Sequence, residues 1–509
     1  MAEHLLTYRP FTRDDLVACV RDACRATTDW SAAVPDQVRY LLSYLSHPEL
    51  DAQAILVEPE YTDRHYLAEF QGYYATALRP PPQRCVRLHF FQCELPSDLA
   101  GQVAGAAGNE AEFESLRDHY QAAYLGFVVV RPLESAPIGR TVLRAYSGKP
   151  SREFGPKSPP HRVHLLGMTL KARGVQFHEQ DRAVGACATA AVSGALAAVI
   201  RRDGGRSPTT LAITEHANRS TPEGRVFPAA AGLTRQQMIG AILASGYSPD
   251  VVKPSRDGDQ LLLLAMMMYL RSGIPVVMQL YTEGTTEGHA VIAVGFRTSD
   301  SEEPAADVIV PAQGSYELRS RGITRLYVHD DRLGPYARMK WQVEAEKDPA
   351  IAFIPYGEPF PTLQDPVHVS CAIAPLYPKI RMSALDVLVL AGELLPVARK
   401  LAGPDRRDSV LVEPAFRLAG DYSADLLRLP LDRGRVAALV QRLRLSRYVG
   451  VIRFRTGDDW LLDVLCDATD ILRPIPKWGQ VLAVIPASED ELKPVATYFA
   501  GRAPGVLVG

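Results

Sequence analysis

The residues of this sequence best suited to chemistry are a cysteine and a histidine that lie far apart in the chain. Cys187 comes shortly after Gly185 and opens a run rich in Ala, Val and Leu, which favours a buried helix as far as Ile200. At such a helix start, backbone N–H groups and the positive end of the helix dipole stabilise a thiolate. His289 precedes an apolar run, residues 290–296, that is typical of a buried strand. A cysteine beside a histidine base predicts nucleophilic attack on a carbonyl carbon.

A Cys–His pair also needs a third group that orients the imidazole and fixes its tautomer. The next strand-like run, residues 326–331, ends with two acids, of which Asp330 is the first candidate and Asp331 the alternative. Gln180 precedes Cys187 by a few residues, so its side-chain N–H could help the Cys187 backbone N–H to stabilise an oxyanion. The predicted order of functional residues is therefore Gln, Cys, His, Asp.

This order and its local context resemble the papain-like cysteine peptidases, which have Gln and Cys at a helix start, Gly-His-Ala-Val at a strand start, and an acid ending the next strand. The bacterial subgroup that includes the double-glycine leader peptidases of bacteriocin transporters is the most similar. Residues 233–243 resemble its second helix, and residues 270–278 resemble the strand that leads to the catalytic histidine. The sequence departs from the subgroup at Cys-Ala-Thr, residues 187–189, where Cys-Gly-Pro is usual. The resemblance covers about residues 160 to 345.

The resemblance implies an α+β fold for the central part of the chain. A papain-like cysteine peptidase domain has an N-terminal helical lobe that carries the nucleophile helix and a C-terminal lobe built from an antiparallel sheet. The Pro-, Gly- and Ser-rich stretch 147–160 is typical of a linker, and the Pro-rich stretch 359–378 marks the far boundary. We therefore predict a peptidase domain at 159–375, flanked by smaller α/β domains at 1–158 and 376–509.

The flanking segments carry their own patterns of helices and strands. Apolar residues recur at helical spacing in some stretches and alternate, or form short continuous runs, in others. The predicted helices are 36–45, 66–78, 110–123, 381–402 and 433–443. The predicted strands are 54–58, 85–91, 124–132, 139–144, 448–454 and 460–470.

Composition excludes several classes of protein. The formal net charge of -2 gives no electrostatic case for binding nucleic acid or an anionic membrane. Seven cysteines without a CxxC motif argue against a disulfide framework and against a zinc site. The longest apolar run, residues 261–270, is too short to span a bilayer, and the N-terminus lacks a signal-peptide pattern. We expect a cytoplasmic enzyme without a metal or cofactor.

The predicted reaction is cleavage of a peptide or protein substrate by a Cys-His-Asp triad through a thioester, with the flanking domains available to a regulatory protein partner. Two alternatives stay open. The same triad could perform acyl transfer of the transglutaminase or deamidase type, because a fold does not fix a reaction. The chain could also be a catalytically silent papain-like scaffold for protein binding, since a cysteine in an Ala-rich helix is commonly core packing. His178 and His329, which flank the candidate positions, are expected to be local hydrogen-bonding residues.

Overall fold

The structure is a computed structural model of the chain. It describes every residue except 1–5, 31–32, 147–150, 156–157, 182, 221–231, 255–259, 285–287, 300–303, 310–316, 345–346, 357–364, 470–479 and 504–505. Within the described residues, helices and mainly antiparallel strands follow one another along the whole chain, so the protein is of the α+β class. None of the described helices is both long enough and apolar enough to cross a lipid bilayer.

The first part of the chain folds into one antiparallel five-stranded sheet with helices on both faces. Its strands are β1 (Thr7–Pro10), β2 (Ala54–Tyr61), β3 (Cys85–Phe91), β4 (Tyr124–Val130) and β5 (Ile138–Leu143). Its helices are α1 (Arg13–Cys24), α2 (Asp36–Leu45), α3 (Arg64–Gly72), α4 (Leu99–Ala106) and α5 (Glu110–Ala123). Strand β4 is buried along its whole length. Its alternate side chains therefore enter two cores: Val128 packs with α1 and α2, whereas Phe127 packs with α3, α4 and α5.

The predicted helix 66–78 is wrong at both ends. Helix α3 begins at Arg64, because the Asp63 side chain caps it, and ends at Gly72. Tyr73 then leaves helical geometry with φ -142°, and a short 3-10 turn follows at Tyr74–Thr76. After this break, the side chain of Tyr74 reaches Asp181, in the loop that precedes Cys187.

The central part of the chain combines helices with a closed sheet. The helices are α6 (Cys187–Arg202), α7 (Thr210–Ser220), α8 (Arg235–Ala244) and α9 (Gln260–Arg271). The strands are β6 (Arg152–Phe154), β7 (His161–Leu165), β8 (Met168–Ala172), β9 (Ser248–Val252), β10 (Val276–Tyr281), β11 (Gly288–Thr298), β12 (Pro304–Ile309), β13 (Glu317–Arg321), β14 (Ile323–Asp330), β15 (Gly334–Gln342), β16 (Ala350–Phe353) and β17 (Val367–Leu376). The order β10-β11-β14-β15-β16-β17 closes into a six-stranded ring, because β17 also pairs with β10.

Helix α6 packs directly against β11 of this ring. Its residues 188–199 are all buried, which explains why the sequence there is rich in small and apolar residues. Gly194 permits the close approach, since a Cβ at this position would lie 2.6 Å from the Cδ1 atom of Ile292. The packing brings the start of α6 alongside the start of β11.

The last part of the chain forms a second five-stranded sheet, ordered β18-β19-β20-β21-β22, in which only the final pairing is parallel among the described residues. Its strands are β18 (Val410–Leu418), β19 (Tyr448–Thr456), β20 (Asp459–Asp467), β21 (Val481–Pro486) and β22 (Leu507–Val508). Its helices are α10 (Ala384–Ala402), α11 (Ala419–Leu426), α12 (Arg433–Arg442) and α13 (Leu492–Ala500). Helix α10 contributes to the core of the central part, whereas α11 and α12 cover the opposite face of the sheet.

The three parts share packing across the predicted domain boundaries. Strand β6, which lies in the predicted linker 147–160, pairs with β11 of the central ring. The β7–β8 hairpin, which was predicted to begin the peptidase domain, packs its side chains into the core of the first sheet. The hairpin β12–β13 packs against α9 and β18. One continuous hydrophobic core joins all three parts, so side chains of the first and last parts pack against the central part.

Candidate active site

Cys187 is the first residue of α6 and is half-buried. The N-cap residue is Ala186, whose methyl side chain forms no capping hydrogen bond. The first N–H groups of α6 are therefore left without a side-chain cap. Uncapped N–H groups at a helix start favour negative charge. The position suits both a thiolate and an oxyanion that forms beside it.

Asp181 closes the loop that leads into Cys187. Its Oδ1 atom accepts hydrogen bonds from the backbone N–H groups of Val184, at 2.9 Å, and Gly185, at 2.7 Å. Its own N–H donates to the carbonyl oxygen of Gly185 at 3.0 Å. The hydroxyl of Tyr74, on the turn that interrupts the predicted helix, donates to the other carboxylate oxygen. The first part of the chain thus helps to fix the loop that enters α6.

His289 lies beside Cys187 at the start of β11. The Cys187 thiol and the imidazole are joined by a hydrogen bond. The Nε2 atom of His289 lies 2.9 Å from Oδ1 of Asp330 and 3.5 Å from Oδ1 of Asp331. Because Nε2 faces the carboxylates, Nδ1 is the ring nitrogen left for the sulfur. The structure therefore joins a cysteine, a histidine and an acid in one chain of contacts.

Asp330 is held in place by Arg332. The carboxylate is fully buried and ends β14, where a tight turn leads into β15. Oδ1 of Asp330 accepts hydrogen bonds from the backbone N–H of Arg332 at 3.0 Å and from its Nε at 3.1 Å, and Oδ2 accepts one from Nη2 at 2.8 Å. Burial opposes ionisation, but the charges of Arg332 and His289 outweigh it and hold the pKa of Asp330 well below its usual range. Asp330 is thus a fixed negative charge at neutral pH.

The carboxylates determine the protonation of His289. Burial lowers the pKa of the imidazole, whereas Asp330, through its charge and its hydrogen bond, raises it. The hydrogen bond with Cys187 and the charge of Asp331 act in the same direction, and the pKa rises to about 10. The imidazole is accordingly held as the imidazolium in the absence of substrate. An imidazolium beside the sulfur is the partner that a thiolate requires.

Asp331 has a different environment from Asp330. Its carboxylate is buried, and neither oxygen accepts a hydrogen bond from any residue that the structure describes. It lines a small cavity, shared with Phe177, His178 and Cys187, that has room for about one water molecule. Burial, reinforced by the charge of Asp330 and opposed by His289, raises the pKa of Asp331. Asp330 is therefore the acid placed to orient His289, and Asp331 faces the cavity beside it.

Residues of the first part of the chain support the turn that carries the two acids. Gln37, on α2, donates from its side chain to the carbonyl oxygen of Asp331 at 3.2 Å. The hydroxyl of Tyr40 donates to the carbonyl oxygen of Pro335 at 2.8 Å. These contacts tie the turn to helix α2.

The two flanking histidines are both buried. Nε2 of His178 donates a hydrogen bond to Oε1 of Glu69 at 3.0 Å, which agrees with the expected local role. The ring of His329 packs edge-on against Tyr336, with ring centroids 4.7 Å apart. Burial lowers the pKa of His329 to about 3, so this ring is neutral at physiological pH.

Gln180 begins the loop that Asp181 closes, and its side chain is half-buried. The side chain forms no hydrogen bond to Cys187 or to any other residue among those described. Its part in stabilising an oxyanion stays a prediction. The N–H groups at the start of α6 are the donors that the structure does place beside the sulfur.

The same side chains could be considered as metal ligands. His289, Asp330 and Asp331 each offer a ligand atom, and these atoms lie within 4.8 Å of one another; the described residues contain no second cluster of this kind. Arg332, however, bonds both oxygens of Asp330 and adds a positive charge beside them. A guanidinium in that position disfavours a cation, so the cluster is better suited to holding a proton.

Arg332 is the member of the site that sequence reasoning missed. The sequence places Arg332 two residues after Asp330, but an arginine in a turn is usually exposed to solvent, so its presence there does not predict an ion pair with Asp330.

Comparison with known proteins assigns no family. The chain matches no protein-family model, and it matches no curated protein. The functional conclusion rests on the geometry of the site.

Proposed function

We propose that the protein is a papain-like cysteine peptidase that cleaves a peptide or protein bond through a thioester. The observation that carries the proposal is the chain of contacts from the sulfur at the start of α6, through His289, to Asp330. The packing of a nucleophile helix against an antiparallel closed sheet is the arrangement expected of the two papain-like lobes. Each component has a defined role in acyl transfer.

In the first step, the Cys187 thiolate attacks the carbonyl carbon of the scissile bond. A carbon–sulfur bond forms, and the electron pair of the carbonyl moves onto its oxygen. The N–H groups at the start of α6 stabilise that oxyanion. The imidazolium of His289 then gives its proton to the leaving amine, the carbon–nitrogen bond breaks, and the thioester remains on Cys187.

In the second step, neutral His289 takes a proton from water while the water oxygen attacks the thioester carbon. Collapse of the second oxyanion breaks the carbon–sulfur bond and releases the carboxylic acid. Asp330 holds the imidazole through Nε2 during both proton transfers, and Arg332 keeps Asp330 ionised. The cycle ends with the thiolate–imidazolium pair restored.

We further propose that the enzyme works in a reducing compartment such as the cytoplasm. All seven cysteines are free thiols, including Cys187. A thiolate nucleophile retains its activity only where it is protected from oxidation. A protein partner that docks on the first or last part of the chain would be joined to the site through the shared core.

The proposal is tested with the full chain and a library of peptides, followed by mass spectrometry of the products. We expect wild-type protein to cleave some library members and Cys187→Ser to cleave none, while both unfold at the same temperature. Cys93→Ser is the matched control, because Cys93 is also half-buried but lies just after β3, in the first part of the chain. Full cleavage by Cys187→Ser would contradict the mechanism.

The same experiment separates the alternatives. Adding a primary amine tests for acyl transfer, since the thioester would then yield an amide of the added amine instead of an acid. If amide exchange replaces cleavage, the reaction class is transferase and the triad keeps its roles. If Cys187 resists alkylation and no library member reacts, the scaffold alternative replaces the peptidase.

A further inference from the structure

A second cavity lies at the opposite end of α6 from Cys187, between that end and the first sheet. Its volume is about 370 Å³, which falls within the range of pockets that hold small molecules. Several basic side chains line it, from elements far apart in sequence: Arg64, His65, Arg140, His161, Arg201 and Arg206. No carboxylate is among the lining residues that the structure describes.

The arginines of this cavity are poorly neutralised. Arg140 forms an ion pair with the buried Asp63, with Nε 2.8 Å from Oδ2. The other oxygen of Asp63 accepts the backbone N–H groups that begin α3, and the single negative charge of this carboxylate is matched by Arg140. Arg64 donates to the carbonyl oxygen of Ser207, and a carbonyl group leaves the guanidinium charge in place.

Two further arginines, Arg201 in the last turn of α6 and Arg206 just beyond it, have no carboxylate partner among the described residues. Arg201 donates to the carbonyl oxygens of Pro159 and Pro160, at 2.9 and 3.1 Å. Arg206 is exposed and forms no hydrogen bond or ion pair with any residue that the structure describes. Burial, and then the charges of Arg206 and Arg140, lower the pKa of Arg64, which is the sign of like charges held together.

Two buried nitrogen atoms belong to residues that line this cavity and have no hydrogen-bond partner among the described residues. Nδ1 of His65 forms no hydrogen bond to the described residues, although the side chain is only 4% exposed. Nε of Arg201 is buried and likewise unpartnered among the residues described. The clustering of arginine side chains around one cavity is the observation that points to an anionic ligand.

We propose that this cavity binds a small molecule that carries two or more phosphate groups. Arginine forks match phosphate oxygens in pairs, and several arginines around one cavity suit a ligand with several negative charges. A single carboxylate would leave most of the positive charge uncompensated. The cavity is too small for a folded partner, so the phosphates belong to a free polyphosphate or to a nucleotide. The site does not depend on the proposed peptidase activity.

The test is isothermal titration calorimetry of the full chain at low ionic strength, with pyrophosphate, inorganic phosphate, ADP and citrate as separate probes. We expect pyrophosphate to bind with one site per chain and more tightly than inorganic phosphate. Similar affinities for pyrophosphate and ADP indicate recognition of the phosphates alone, whereas tighter binding of ADP indicates a nucleotide. Citrate that binds as tightly as pyrophosphate would overturn the phosphate assignment, and so would the absence of binding by both pyrophosphate and ADP.

Two variants assign the binding to this cavity. Arg206→Gln removes an exposed side chain that supports no described contact, so the fold should be unaffected. The loss of one charge-assisted hydrogen bond should weaken pyrophosphate binding about tenfold or more. Arg433→Gln is the matched control, because Arg433 is an exposed arginine on α12 in the last part of the chain. Equal affinities of wild-type protein and Arg206→Gln, or equal weakening by Arg433→Gln, would refute the site.

Discussion

Replacement of Asp330 by Asn is the most informative single change in the candidate active site. Asn keeps the shape of the side chain and leaves an oxygen that can accept from Nε2 of His289, but it removes the negative charge. The pKa of His289 then loses the interaction that opposes burial, and burial favours the neutral ring. We therefore expect Asp330→Asn to weaken the thiolate–imidazolium pair at neutral pH.

The size of the effect follows from the geometry. A rise in the pKa of His289 from 6.5 to about 10 corresponds to about 5 kcal/mol of preference for the imidazolium. Coulomb's law gives about 6 kcal/mol for unit charges 2.9 Å apart at an effective dielectric constant of about 20, so Asp330 supplies a large part of the interactions that outweigh burial. Asp331, 3.5 Å from Nε2, remains and will recover part of the loss. The result should be alkylation of Cys187 that is about tenfold or more slower near pH 6.

The assay is the rate of iodoacetamide alkylation as a function of pH, with each cysteine followed by peptide mass spectrometry. Burial raises the pKa of the other six thiols, so these provide slow internal references in the same sample. Wild-type Cys187 should be alkylated faster than these six thiols near neutral pH, because a neighbouring imidazolium favours the reactive thiolate. Asp330→Asn should reduce this difference in rate.

Asp331→Asn is the matched control, since the two acids are neighbours and both are buried. Asp331 has no hydrogen bond with His289, so this change should affect alkylation less than Asp330→Asn. Equal effects of the two changes, or a profile that Asp330→Asn leaves unaltered, would refute the assignment of Asp330 as the orienting acid. Thermal unfolding of each variant excludes loss of structure as the cause.

Three further predictions concern stability. Because the pKa of Asp331 is raised in the folded protein, ionisation of this carboxyl group opposes folding. Asp331→Asn should therefore raise the unfolding temperature more at pH 8 than at pH 4. An equal change at both pH values would contradict this prediction. The raised pKa of His289 contributes stability that is complete below pH 6.5 and lost as the pH rises toward about 10, so His289→Gln should flatten that part of a urea-unfolding series. Tyr336→Phe removes the hydroxyl that accepts the buried Val175 N–H at 2.8 Å, which should cost about 1–3 kcal/mol in urea unfolding; unaltered stability would show that another acceptor replaces it.

Local signals made parts of this structure predictable from sequence. Helices 36–45 and 110–123 have the predicted bounds, because amphipathic spacing coincides with polar or Pro residues that end the preceding segment. Cys187 and His289 were expected at a helix start and at a strand start, where the structure places them. Both expectations depended on residues adjacent in sequence.

Features that depend on distant residues could not be predicted in this way. Neither the choice between Asp330 and Asp331 nor the role of Arg332 follows from the sequence, because the turn geometry at the end of β14 determines which side chain reaches His289. The basic cavity was missed for the same reason. Arg64 and Arg206 lie in different predicted segments, and only the fold, in which Arg64 at the start of α3 contacts Ser207 beyond the end of α6, brings them together.

The first part of the chain contributes to the candidate active site. The predicted peptidase resemblance covers about residues 160 to 345, yet Gln37 supports the turn that carries the acids. Tyr74 fixes the loop before Cys187. A displacement of α2 and of the turn that carries Tyr74 would therefore act on the loop before Cys187 and on the acid turn at once. Because packed interfaces shift between discrete arrangements, both sides of the candidate site would change together.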